Sequence, residues 1–183
     1  MKELFVLSLI LLPIFGLSKT DDAETKSVQV VSSVDLSRYI GKWYEIARLP
    51  NKFQKDCIGE VTATYSLVGE GQLKVVNECR KQGGIERAEG EARIRSKDGA
   101  NSKLKVRFAP SWLTWLPFVW GDYWIIELAP DYSYSVVGTP DRKYLWVLSR
   151  AAEMEEGTYK RLIEKAAAEG FDVSKLKKTR QSF

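Results

Sequence analysis

The sequence predicts an all-β fold: an eight-stranded up-and-down antiparallel β-barrel with one C-terminal α-helix packed outside. Three observations predict it. Short segments whose side chains alternate between apolar and polar recur from residue 41 to residue 150, and a period of 2 marks a half-buried strand. Turns containing glycine, proline or asparagine separate the segments, with no helix-length stretch between them. That spacing favours a meander over parallel βαβ units. Only one later stretch, residues 155–169, places apolar residues at helical spacing. A barrel of eight strands is wide enough to hold one small ligand.

The chain opens on Met1-Lys2-Glu3 and an apolar run to Leu17, interrupted by Pro13. The run is too short to span a bilayer comfortably and reads as a secretory signal peptide, residues 1–18, cut after Ser18. An uncleaved anchor is the alternative. No cysteine stands near the cleavage point to take a lipid. Residues 19–33 read as a polar linker and residues 34–183 as the domain.

The first strand is Gly41-Lys42-Trp43-Tyr44-Glu45-Ile46-Ala47-Arg48. Period 2 puts Trp43, Glu45 and Ala47 on one face, and Tyr44, Ile46 and Arg48 on the other. Trp43 suits the plug at one end of a barrel, and Ala47 leaves room higher up. Gly41 lets the chain approach Trp43 closely. Taken alone, Trp43 reads equally well as an ordinary core tryptophan. A loop over 49–56 leads to strand two, 57–67, a glycine turn over 68–71, and strand three, 72–79. Residues 81–85 read as a loop and 97–101 as a turn. The remaining strands are 88–95, 103–108, 120–128, 133–138 and 143–150. In the helix, Tyr159, Leu162, Ile163 and Ala166 form the apolar stripe, and Gly170 stops it. The basic tail over 175–180 reads as a solvated end.

The totals exclude several function classes. With 183 residues the chain makes one domain of ordinary size. A formal net charge of +4 is too small to argue for nucleic acid. There is no histidine, which removes Ser-His-Asp and Cys-His catalysis and His-based metal sites. No metal and no cofactor is expected, and no catalytic residue. Six tryptophans are more than a core alone would need.

Two cysteines, Cys57 and Cys79, lie on neighbouring predicted strands. Pairing Tyr65 with Gly71 and counting outward brings Cys57 opposite Cys79, close enough for a disulfide in an oxidising compartment. The alternative is a reactive thiol inside the barrel. The connection Ala109-Pro110-Ser111-Trp112-Leu113-Thr114-Trp115-Leu116-Pro117-Phe118-Val119-Trp120 is too apolar for an ordinary loop. In a meander it stands at the end opposite Trp43, the mouth. There Trp112, Trp115 and Trp120 suit a lid, an entry slide, a dimer contact or a shallow membrane foot. An inward-folded loop packed on its own barrel is the plain alternative.

Three short stretches resemble the three motifs of the lipocalin family: Gly41-Lys42-Trp43, Ala129-Pro130-Asp131-Tyr132 and Leu145-Trp146-Val147-Leu148-Ser149-Arg150. The runs Val61-Thr62-Ala63-Thr64-Tyr65-Ser66-Leu67, Pro140-Asp141-Arg142 and Glu169-Gly170-Phe171-Asp172-Val173-Ser174-Lys175 extend the resemblance to the branch that holds the bacterial outer-membrane lipoprotein lipocalins and apolipoprotein D. The resemblance implies that Arg150 packs over Trp43 as the barrel-closing pair. It implies Phe108, Tyr123 and Trp146 as cavity aromatics, and Tyr144 shares a face with Trp146. The implied cavity set is therefore Trp43, Glu45, Ala47, Phe108, Tyr123, Tyr144 and Trp146. A buried Glu45 needs a partner. The implied function is storage or transport of fatty acids or lysophospholipids for cell-envelope maintenance under stress, without catalysis. Peripheral membrane contact and a homodimer belong to the same expectation. So does an exported location, periplasmic, outer-membrane associated or secreted. Two rivals stand beside it: a cysteine-dependent lipocalin enzyme, as in the prostaglandin D synthase branch, and an interaction module acting through the tryptophan-rich loop.

Overall fold

The structure is a computed structural model and describes residues 27–94, 100–109 and 119–181. The signal-peptide reading, Trp112 and Trp115 fall outside those residues. A single turn of helix, α1 (Leu36–Tyr39), leads into β1 (Gly41–Arg48). The strands that follow are β2 (Gly59–Gly69), β3 (Gln72–Lys81), β4 (Gly84–Ile94), β5 (Lys103–Arg107), β6 (Gly121–Leu128), β7 (Tyr134–Gly138) and β8 (Leu145–Ser149). Helix α2 (Glu156–Ala168) and a two-residue strand β9 (Lys177–Lys178) complete the order. From β1 to β8 every strand pairs antiparallel with its sequence neighbour, and β1 pairs with both β2 and β8, so the sheet closes on itself. Closure pairs the two outer strands of the meander with each other, while β4 extends beyond β5, which it meets only from Glu91 to Ile94.

Two apolar clusters divide the molecule. The inner one fills the lower barrel with Tyr39, Trp43, Tyr65, Leu73, Val75, Leu104, Ile125, Val137 and Leu148. The outer one lies between the barrel wall and α2, and joins Ile46, Ile126, Val136, Leu145 and Val147 to Leu162, Ala166 and Phe171. Alternation sorts residues between the two: Val136 and Val147 face the helix, while Val137 and Trp146 face in. Helix α2 begins where the Glu155 carboxylate accepts the Gly157 and Thr158 amides, and Gly170, at φ +86°, ends it.

Several details differ from the expectation. In β1 the register against β8 shifts between Glu45 and Ala47. This bulge adds one residue and reverses the parity beyond it. Ala47 therefore opposes Val147 and joins the outer cluster, while Arg48 opposes Trp146. Ala47 is not a cavity residue, and Arg48 takes the inward place. The β2–β3 turn is tighter than expected, with Gly69 opposing Gln72. Tyr65 consequently opposes Val75, not Gly71. The Cys57–Cys79 disulfide forms nonetheless, with Cα atoms 5.7 Å apart, because Cys57 precedes β2 and reaches β3 from the loop. Residues 81–85 are not a loop, since β3 and β4 run up to a two-residue turn at Gln82-Gly83. The stretch read as a linker is packed where it is described: Val28 is buried in the outer cluster and the Val31 amide bonds to the Ile125 carbonyl.

The tail is not a free end either. Lys178 and Lys177 pair with Ala47 and Arg48 of β1. On the other side, the Glu60 amide of β2 donates to the Arg180 carbonyl at 2.7 Å. β1 and β2 pair directly only from Gly41 to Tyr44. Beyond the β1 bulge the strands part, and the tail fills the gap between them.

A candidate ligand site inside the barrel

The closed end is built on Trp43, which is fully buried. Its indole N–H donates to the Tyr39 carbonyl at 2.9 Å. The Arg150 guanidinium carbon lies 3.8 Å from the ring centroid. Arg150 also donates to the carbonyls of Lys42 at 3.0 Å, Arg38 at 2.8 Å and Tyr39 at 3.2 Å. It thereby ties α1, the start of β1 and the end of β8 together. Burial holds its pKa below the ordinary arginine value, and the Tyr39 phenol opposes that shift. Gly41, at φ +94°, is needed for this contact, because a Cβ there would stand 3.2 Å from Arg150 Nη1. The close approach at Gly41 is thus by Arg150 and not by Trp43.

Above the indole, three phenols meet. The Tyr123 hydroxyl lies 2.9 Å from that of Tyr39 and 2.8 Å from that of Tyr65. Tyr39 also donates to Ser135 Oγ at 3.3 Å, and Ser135 Oγ donates on to the Glu127 carbonyl. Burial pushes all three phenol pKa values up, so they stay protonated and hydrogen-bonded. Tyr123, expected as a cavity aromatic, belongs to this floor.

The opposite half carries a different set. Glu45 is buried and accepts from Arg48 Nη1 at 2.5 Å, from Gln54 Nε2 at 2.6 Å and from the Thr179 hydroxyl. Arg48 Nη2 reaches the Gln54 carbonyl at 3.3 Å. Gln54 Oε1 in turn accepts from the Trp146 indole at 2.9 Å and from Asn51 Nδ2 at 2.7 Å. One carboxylate and one guanidinium are thus paired inside the wall, with neutral partners filling their remaining hydrogen bonds. Trp146 stacks on Tyr144, with centroids 5.9 Å apart and planes 18° apart, and Tyr144 meets Phe53 at 5.7 Å. Phe53 is 66% exposed, so this aromatic column runs from the interior out to the rim. Phe108 is 43% exposed and its ring covers Gly90, where a Cβ would clash with it at 2.6 Å. Trp120 lies apart from this column, its ring facing the guanidinium groups of Arg93 and Arg107 at 5.5 Å and 5.3 Å. Both cysteines are in the bridge, which ties the loop holding Gln54 to the end of β3.

The barrel therefore brings Trp43, Glu45, Tyr123 and Trp146 to one interior, with Tyr144 stacked on Trp146 toward the rim and Phe108 exposed over Gly90. It leaves Ala47 outside and adds Tyr39, Tyr65, Arg48, Gln54 and Thr179. Tyr39 and Tyr65 were legible as aromatic residues on or beside the inner face of strands. Arg48 was hidden by the bulge, and Thr179 by a basic tail that carries no strand pattern.

Comparison with known proteins agrees with this geometry. Residues 34–181 match the family model described as a lipocalin-like domain. The chain is 46% identical over 160 residues to temperature-induced lipocalin-1 of Arabidopsis thaliana, covering 87% of this chain and 86% of that protein. It is 39% identical over 155 residues to the outer membrane lipoprotein Blc of Escherichia coli K12, covering 82% and 81%. Rat apolipoprotein D is 32% identical over 184 residues, covering 92% and 91%. Among solved structures, insecticyanin from the tobacco hornworm Manduca sexta superposes with a TM-score of 0.65 at 25% identity, covering 86% of each chain. Motifs, closed sheet, stacked Trp43–Arg150 pair and relatives agree, and the chain belongs to the lipocalin family.

Proposed function

We propose that this protein is an exported carrier that holds a fatty acid or a lysophospholipid in its barrel, acyl chain inward and polar head toward the open end. Membership of the lipocalin family supports binding of a small hydrophobic molecule. The observation that carries the finer reading is the gradient inside the barrel. Apolar walls and neutral phenols lie below, and the Glu45–Arg48–Gln54 cluster lies above them beside exposed aromatics. A single-chain amphiphile matches that order. An acyl chain of about fifteen carbons gains roughly 12 kcal/mol on burial before association costs, which leaves room for micromolar binding. The disulfide and the relatives named as an outer membrane lipoprotein and an apolipoprotein support export and a role at the cell envelope. The cysteine-dependent enzyme needs a thiolate, and both sulfurs are in the bridge.

The test is ligand displacement. Fatty acid added to the exported protein should displace a fluorescent acyl probe. Trp146→Ala removes the indole that stacks on Tyr144 and holds Gln54, and should weaken fatty-acid affinity about tenfold. Because Trp146 is only partly buried, the barrel should stay folded by circular dichroism. Unchanged affinity would remove Trp146 from the site. Solvent extraction of the purified protein followed by mass spectrometry should return a co-purifying lipid.

A further inference from the structure

The tail of the chain enters the interior. Thr179 lies on the face of Arg48, two residues beyond its register partner Lys177, while Lys178 points out, its ammonium 3.0 Å from Glu156 and 4.5 Å from the Tyr159 ring of α2. The Thr179 hydroxyl donates to Glu45 and accepts from Arg48 Nη1 at 3.1 Å. Its amide bonds to the Ile46 carbonyl at 2.9 Å. Two residues on, the Gln181 amide group donates to the carbonyls of Glu45 at 2.8 Å and Val61 at 3.0 Å, one on each side of the gap. Gly59 suits this insertion, since a Cβ there would lie 2.7 Å from the Arg180 carbonyl. Removing the tail would leave backbone groups of both strands unpaired and the Glu45–Arg48 pair open to the side of the barrel.

We propose that Thr179, carried on the C-terminal tail, is a selectivity-determining residue of the ligand site, so that docking of the tail and recognition of the ligand's polar head are coupled. The inference rests on the carrier reading. The physical reason is the occupancy of the charged pair. Thr179 gives Glu45 a donor and Arg48 an acceptor, so neither charge has a strong demand for a ligand group. Without the hydroxyl, Glu45 still accepts from Arg48 and Gln54, whereas Arg48 Nη1 is left one acceptor short, and an acidic head becomes the group that fills it. A ligand bound at that pair would in turn press on, or hold, the tail that closes the wall beside it.

The experiment measures the affinities of palmitic acid and its methyl ester for the full exported chain, for Thr179→Val and for Thr179→Ser. Valine keeps the branched shape and the strand preference while removing the hydroxyl. The acid-over-ester ratio should rise about fivefold or more in Thr179→Val and stay within twofold of the unaltered protein in Thr179→Ser. Hydrogen exchange at the amides of Lys178 and Thr179 should slow on saturation of the unaltered protein with palmitic acid. An unchanged ratio in Thr179→Val with both ligands still bound overturns the inference and leaves the carrier reading standing. So does an equal rise in Thr179→Ser. If the unaltered protein binds neither ligand, the carrier reading fails and the inference fails with it. Should Thr179→Val not fold, the exchange measurement on the unaltered chain decides, and indifference of the tail amides to palmitic acid overturns the proposal.

Discussion

The two ends of the barrel use the same materials, aromatic rings and an arginine, to opposite effect. At the closed end Arg150 lies over the Trp43 ring, its donors taken by carbonyls of α1 and β1. The phenols above them satisfy one another. At the opposite end Arg48 is paired directly with the Glu45 carboxylate, and side chains borrowed from a loop and a tail, Gln54 and Thr179, fill their remaining bonds. The rings there lean outward to an exposed Phe53. The difference is one of support. The floor is held by carbonyls of α1 and β1 under Arg150 and by phenols that bond to one another. The upper cluster is held by side chains from the loop after β1 and from the C-terminal tail, which stand outside the eight-stranded meander.

If that contrast is right, damage to the floor should read out as stability and damage to the upper half as binding. The largest effect is expected for Trp43→Ala. It empties the fully buried plug and leaves Arg150 without a ring, and should cost about 3–5 kcal/mol. Urea unfolding followed by far-UV circular dichroism would measure it. A loss under ~1 kcal/mol would mean that the floor does not depend on the indole. The disulfide comes next. It closes a loop with a sequence separation of 22 and ties the Gln54 loop to β3. Replacing both cysteines by alanine should cost about 2–4 kcal/mol, mainly through the unfolded chain. It should also weaken ligand binding, because Gln54 is positioned from that loop. Equal affinity with and without the bridge would detach the loop from the site. Arg150→Met is third. It keeps an apolar cover on Trp43 but removes the donors to the Arg38, Tyr39, Lys42 and Tyr132 carbonyls, and should lower stability by ~2 kcal/mol with ligand affinity unchanged.

Why these contrasts were only partly legible in the sequence has a physical answer. Alternation with period 2 is a property of every half-buried strand, so the strands and the closed meander could be read from pattern alone. The roles of Trp43, Trp146 and Arg150 came from the resemblance to the lipocalin motifs, since pattern alone leaves Trp43 equally an ordinary core tryptophan. The bulge at residues 45–47 could not. One extra residue changes no composition, yet it turns Ala47 out and Arg48 in. The register of β2 against β3 escaped for a related reason: with glycines at 69 and 71 the sequence allows more than one turn, and the side chains on both strands alternate equally well in each. The tail escaped because its pairing is with backbone at a gap the bulge creates. Nothing in Lys177, Lys178 or Thr179 announces a partner that exists only after the barrel has folded.

The smallest effect separates the two ends by pH. Tyr39, Tyr65 and Tyr123 have pKa values raised by burial in the folded protein, whereas an unfolded tyrosine titrates near 10. Below about pH 10 both states hold the phenol proton, and the floor contributes its full stability. Above it the unfolded chain releases those protons and the folded chain does not. Stability must then fall with rising pH, the sign expected for groups that bind protons more tightly when folded. Urea midpoints should therefore be flat from about pH 7 to 9 and decline from about pH 10 upward. Tyr65→Phe removes one of the three phenols and should make that decline shallower, at the cost of one hydrogen bond to Tyr123 at neutral pH. Phe53→Ser, at the rim, should leave the alkaline slope as it was. If the two substitutions changed the slope alike, the phenols would not be the groups that couple this fold to alkali, and the floor would lose its distinction from the mouth on this measure.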